Sequence, residues 1–100
     1  MIKHIVLLKF YEEAGGMPKK DNIARLKQAL DELPEKIDVV LDFETGINVT
    51  ESEHACDLAL QCTFVSPDEL EEYRNHPDHN AVLGLLNLVV EKKVFVDYEY

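Results

Sequence analysis

The sequence is short of cations. Lys plus Arg number 10 against 20 Asp plus Glu, a formal charge of −10 over 100 residues. Phosphate binding needs a cationic face, so nucleic acid is not an expected partner, and an anionic membrane surface is not one either. Long apolar runs are missing too. The longest uncharged apolar run, Ala81–Val90, is far shorter than the ~20 residues that span a bilayer. The opening Met1-Ile2-Lys3-His4 carries no signal-peptide pattern, and a cytoplasmic protein is the simplest expectation. With only two cysteines, Cys56 and Cys62, there is no disulfide framework. Six residues apart on one straight strand they would lie about 20 Å from each other, beyond the ~7 Å that a disulfide tolerates. They read as small apolar core residues. Four glycines and four prolines leave no low-complexity tract or linker, and no internal repeat is detectable. There is no phosphate-cradling Gly-rich loop, no nucleophile elbow, no His-Glu-x-x-His and no paired Cys-x-x-Cys.

What is present suits one globular domain over residues 1–100. At this length a chain buries roughly 65% of its unfolded surface, enough for one core. Residues 2–10 read as a strand that is apolar on both faces: Ile2, Val6, Leu8 and Phe10 on one with His4 among them, Ile5 and Leu7 on the other. Gly15-Gly16 and Pro18 mark a loop. Ile23, Leu26, Leu30 and Leu33 form a helical stripe over 19–33, which Pro34 is expected to end. Residues 37–45 alternate, with Val39, Leu41 and Phe43 on one face, and Gly46-Ile47-Asn48 reads as a turn or bulge. A third strand covers 54–64, with Leu58, Leu60, Cys62 and Phe64 sharing a face. Ser66-Pro67-Asp68-Glu69 is a helix start with the capping-box spacing, and Leu70 and Tyr73 point inward. Pro77 breaks this helix and pushes His76 out of the helical region. A second stretch, 78–89, carries Val82, Leu85, Leu86 and Val89. Residues 92–99 return to strand, Val94, Val96 and Tyr98 facing one way and Phe95 the other.

The order β-α-β-β-α-β is that of the ferredoxin-like α+β fold with an antiparallel four-stranded sheet, its crossovers right-handed. Two helices cover only one face of such a sheet. The first and last strands are apolar on both faces, so the second face is expected to meet an isologous partner, giving a homodimer with its sheets face to face.

Chemistry gathers around the histidines, whose ordinary pKa lies near neutrality. His76-Pro77-Asp78-His79 is the densest polar cluster, with Tyr73 just ahead of it. His79 is the candidate general base, Tyr73 the candidate hydrogen-bond donor to a developing oxyanion, and His4 a third pocket residue. Each has a plainer reading. His4 can be a satisfied core residue, His76 a helix cap and Tyr73 helix-face core. His76-x-x-His79 also has ligand-like spacing that His4, Asp57 or Asp78 would have to complete, but it matches no standard metal motif. The acidic run Asp68–Glu72 reads as a solvated helix N-terminus, where negative charge is favourable.

Two stretches carry a resemblance. Lys3-His4-Ile5-Val6-Leu7-Leu8-Lys9-Phe10 resembles the opening strand of the stress-responsive A/B barrel (Dabb) domain family, and Tyr73-Arg74-Asn75-His76-Pro77-Asp78-His79 is similar to its Tyr-x-x-His-Pro-x-His segment. Leu33-Pro34, Gly46-Ile47-Asn48 and Val96-Asp97-Tyr98 also match. The resemblance covers nearly the whole chain and implies a ferredoxin-like protomer in a dimeric α/β barrel. It further implies three functional alternatives: a small-molecule pocket without assigned activity, a structural or stability module, or a cofactor-free cyclase or lyase. The family includes a plant polyketide cyclase, olivetolic acid cyclase, whose Tyr, base His and strand-1 His match Tyr73, His79 and His4. A further pocket His of that enzyme has no counterpart at Asp57-Leu58-Ala59. The ligand so implied is a small carbonyl or aromatic compound. Haem or flavin chemistry occurs in related dimeric barrels, but no feature of this sequence assigns a cofactor.

Overall fold

The computed structural model describes residues 1–100. Nine residues of alternating burial form β1 (Ile2–Phe10), in which every even-numbered side chain is buried. A hairpin follows, β2 (Glu13–Ala14) and β3 (Met17–Pro18). Its two-residue link, Gly15-Gly16, has φ of +60° and +79°, the left-handed pair that only glycine adopts freely and that suits the twist of a tight hairpin. Asn22, fully buried, pins this hairpin to the helix behind it by donating to the carbonyls of Ala14 and Met17 at 3.0 and 3.2 Å.

Helix α1 (Lys19–Asp31) buries Ile23, Leu26 and Leu30. The expected boundary at Pro34 is displaced. The helix ends at Asp31, and Leu33–Lys36 make a separate turn, α2, with Pro34 in its first positions. Proline is tolerated there because the N–H it lacks would be unpaired anyway. Strand β4 is Asp42–Ile47, not 37–45. Ile37 is instead buried in the core, its N–H bonded to Leu33 O at 3.0 Å, and Leu41 is 52% exposed. Gly46 and Ile47, expected in a turn, pair with Ala59 and Leu58. The third long strand, β5 (Leu58–Phe64), starts four residues later than the pattern suggests. Asp57 stops the ladder: its N–H donates to Leu8 O and its carboxylate accepts from Phe10 N, both at 2.8 Å. Cys56 therefore lies outside the strand, and both cysteines are free.

Ser66 precedes α3 (Pro67–Arg74), where the capping box takes another form. The Ser66 hydroxyl donates to the Glu69 carboxylate rather than accepting from the main chain. Helix α4 (Pro77–Val89) buries Leu86 and Val89, and β6 (Val90–Glu99) closes the chain.

The sheet order is β4-β5-β1-β6 with every neighbouring pair antiparallel, the expected ferredoxin-like α+β arrangement. One face packs on the helices through Ile2, Val6, Leu8, Leu58, Leu60, Cys62 and Phe64. By register, Ile5, Leu7, Val94, Val96 and Tyr98 share the opposite face, and four of them, Leu7, Val94, Val96 and Tyr98, are 40–51% exposed. No helix is long and apolar enough to cross a membrane.

Candidate functional site

The site begins with a helix break. Asn75 caps α3, and His76 takes φ −68°, ψ 137°, the extended geometry that a following proline imposes. Helix α4 restarts at Pro77, with the His76 imidazole as its cap: Nδ1 accepts from Asp78 N at 3.1 Å. On an uninterrupted helix, six residues are about one and two-thirds turns, and Tyr73 and His79 would face different ways. The break brings their rings to 4.6 Å between centroids.

His79 Nδ1 lies 3.1 Å from Arg74 O, one of the carbonyls that a helix end leaves without an intrahelical partner. A carbonyl only accepts, so Nδ1 carries the proton and Nε2 of the neutral ring keeps its lone pair. Burial pushes the His79 pKa below its ordinary 6.5, outweighing the bond to Arg74 O, so the neutral base prevails at pH 7.

Across the cavity, His4 stands on β1 directly opposite Asp97 on β6. Its Nδ1 bonds the Asp97 carboxylate, whose other oxygen accepts from Arg74. Burial lowers the His4 pKa despite that carboxylate. Its ring is 6.2 Å from Tyr73 and 6.1 Å from Phe95.

Tyr73 is fully buried, and its hydroxyl has no hydrogen-bond partner in the protein. Burial raises its pKa, so it stays a protonated donor. A buried hydroxyl left unsatisfied costs about 1–3 kcal/mol, so it calls for an explanation.

His4, Tyr73 and His79 line one cavity of ≈ 230 Å³ between the sheet and α4. Nine of its 13 lining residues are hydrophobic, and the other four are His4, Arg74, His79 and Lys93. For scale, a cavity of about 150 Å³ holds benzene. The three candidate residues are thus brought together. The remaining histidines are not: His76 is engaged as a cap, and His54 sits exposed in the loop before β5. Asp57 is bonded to Phe10 N and lies 3.5 Å from Lys19, where it cannot complete a His76/His79 ligand set. Cys62, whose thiol burial pushes up to about 12, is a core residue.

Sequence reasoning missed Arg74, Lys93, Phe95 and Asp97. A period-two count along β6 groups the last three on one face. Nothing local shows that this face meets His4, because that pairing joins residues 93 positions apart.

A family model described as the stress-responsive A/B barrel domain matches residues 2–100. Among solved structures, the chain is similar to a dimeric protein of unknown function and ferredoxin-like fold from Bacteroides fragilis, at 32% identity over 99% of this chain and 95% of that one, with a TM-score of 0.85. A Dabb family protein with a ferredoxin-like fold from Mesorhizobium loti is 21% identical over 99% and 95% of the two chains, TM-score 0.77. A hydroxynitrile lyase from Passiflora edulis is 15% identical over 97% and 90%, TM-score 0.82. The last two likenesses bear on the fold alone. No curated protein matches the sequence.

Proposed function

The chain belongs to the stress-responsive A/B barrel domain family, and from that premise we propose that it forms a homodimer whose pocket takes a small carbonyl compound and moves a proton on it without a cofactor. Residues 1–100 make a single domain in this reading. One observation carries it: Tyr73, whose buried hydroxyl has no partner in the protein, lines the same cavity as the imidazoles of His4 and His79, both of which burial holds below their ordinary pKa. His79 Nε2 removes a proton from the carbon next to the carbonyl, the electron pair moves onto the carbonyl oxygen, and the Tyr73 hydroxyl donates to that oxygen. The enolate then takes a proton back from the His79 imidazolium, or attacks a second carbonyl of the same molecule, whose oxygen receives that proton instead. His4, held by Asp97 and Arg74, orients the substrate. The apolar open face supports the homodimer, as does the dimeric state of the Bacteroides fragilis relative. We place the protein in the cytoplasm, where its two free thiols stay reduced.

The test is exchange of the α-protons of 4-phenylbutan-2-one in D₂O, followed by NMR. Wild-type protein should exceed the buffer rate, and H79A should lose at least tenfold of the excess, in the range general-base removal produces. An H79A protein that folds and exchanges like wild type would sink the assignment of the base. Probe binding without any exchange would reduce the site to a binding pocket.

A further inference from the structure

We infer that the ligand of this pocket is an anion: a carboxylate on a small apolar body, its charge held at the rim by Lys93. The inference rests on the pocket reading above and names the class of molecule it takes. Every charged or titratable side chain in the lining apart from Tyr73 is basic, and no carboxylate is among them. That bias runs against the whole molecule, which carries a net −10. Arg74 is not the free charge, because Asp97, on the same face of β6 as Lys93, pairs with it. Lys93 forms no ion pair within the chain.

The place of Lys93 matters as much as its charge. It pairs with Leu8 across the β1–β6 ladder, so it sits on the helix-side face, away from the open face assigned to the dimer. Two residues further, Phe95 shares that face and is 57% exposed beside the Arg74 guanidinium, 5.3 Å above its ring. An exposed aromatic next to an unpaired ammonium, leading into an apolar cavity, matches a molecule with a charged head and an apolar or aromatic body. The apolar walls take the body, and the carboxylate remains near water, where an ammonium holds it at little desolvation cost.

The experiment compares 4-methylbenzoate with its uncharged isostere 4-methylbenzamide on the full-length protein. Binding is read from NMR shifts of the His4 and His79 imidazoles, with Kd from the titration. Wild-type protein should bind the carboxylate about threefold more tightly than the amide, the worth of an ion pair at an exposed ammonium. K93Q should erase that preference; Lys93 is exposed, so the variant should fold normally. Amide binding equal to or tighter than carboxylate binding overturns the anion inference and leaves the pocket standing. A preference that persists in K93Q also overturns it. If neither compound moves either imidazole at millimolar concentration, the pocket reading fails and takes the inference with it.

Discussion

Tyr73 is where stability and function pull apart. Its ring fills the core against Phe64, 5.1 Å between centroids, yet its hydroxyl is buried without a partner. Removing only that oxygen should relieve an unmet hydrogen bond. Y73F is expected to be as stable as wild type or more stable by about 1 kcal/mol in urea unfolding, while losing most of the exchange activity. A loss of more than about 1 kcal/mol would mean that the hydroxyl is satisfied in solution and is structural. At this scale the sequence was partly legible. A tyrosine and a histidine flanking His-Pro mark themselves by their chemistry. Asp97 does not, because its meaning comes only from standing opposite His4. Lys93 likewise looks like any exposed strand lysine until the cavity beside it is seen.

Among the elements, the α3–α4 break is what assembles the site. Pro77 dictates that the helix stops, and that much is readable from the residue type. His76 then caps α4 through Nδ1, so H76A should cost about 1 kcal/mol of stability, the ordinary worth of a helix cap. Chemical denaturation would register this, and an unchanged midpoint would show that water replaces the imidazole at no cost. The helical stripe of α1 was legible because three buried residues at spacings of 3 and 4 admit one reading. Strand β4 was not. Val39, Leu41 and Phe43 alternate as a strand should, but α2 hands Ile37 directly to the core, and the chain first bonds the sheet through Leu41 N–H on Thr63 O. Alternation in a connection and alternation in a strand look the same in one dimension. Where β5 begins was hidden for a related reason: the stop comes from Asp57 bonding to β1, 47 positions away.

For the whole molecule, the deciding fact is that the helices cover only one face of a four-stranded sheet. The excess of apolar residues on the first and last strands is visible by counting, which is why a partner is expected before any coordinates. Light scattering after gel filtration should return about twice the 11.5 kDa chain mass. V96E, which puts a charge in the middle of the open face, should move the population towards the single-chain mass with its secondary structure intact. A wild-type monomer at micromolar concentration would remove the homodimer from the account. The pocket itself could not be read this way, since its volume depends on packing between β1, β6 and α4 that periodicity does not encode.

In the proposed reaction His79 is a neutral base with its lone pair on Nε2, its ring 4.6 Å from that of Tyr73. A long-range proton–nitrogen NMR correlation of the His79 ring, followed from pH 8 to pH 4, tests it most directly. At neutral pH Nδ1 should carry the proton and Nε2 should be bare. The midpoint should lie below the ordinary 6.5, because burial disfavours the charged ring, so the base form persists as pH falls through that value. A ring protonated on Nε2 at neutral pH, or a midpoint above 6.5, would contradict it.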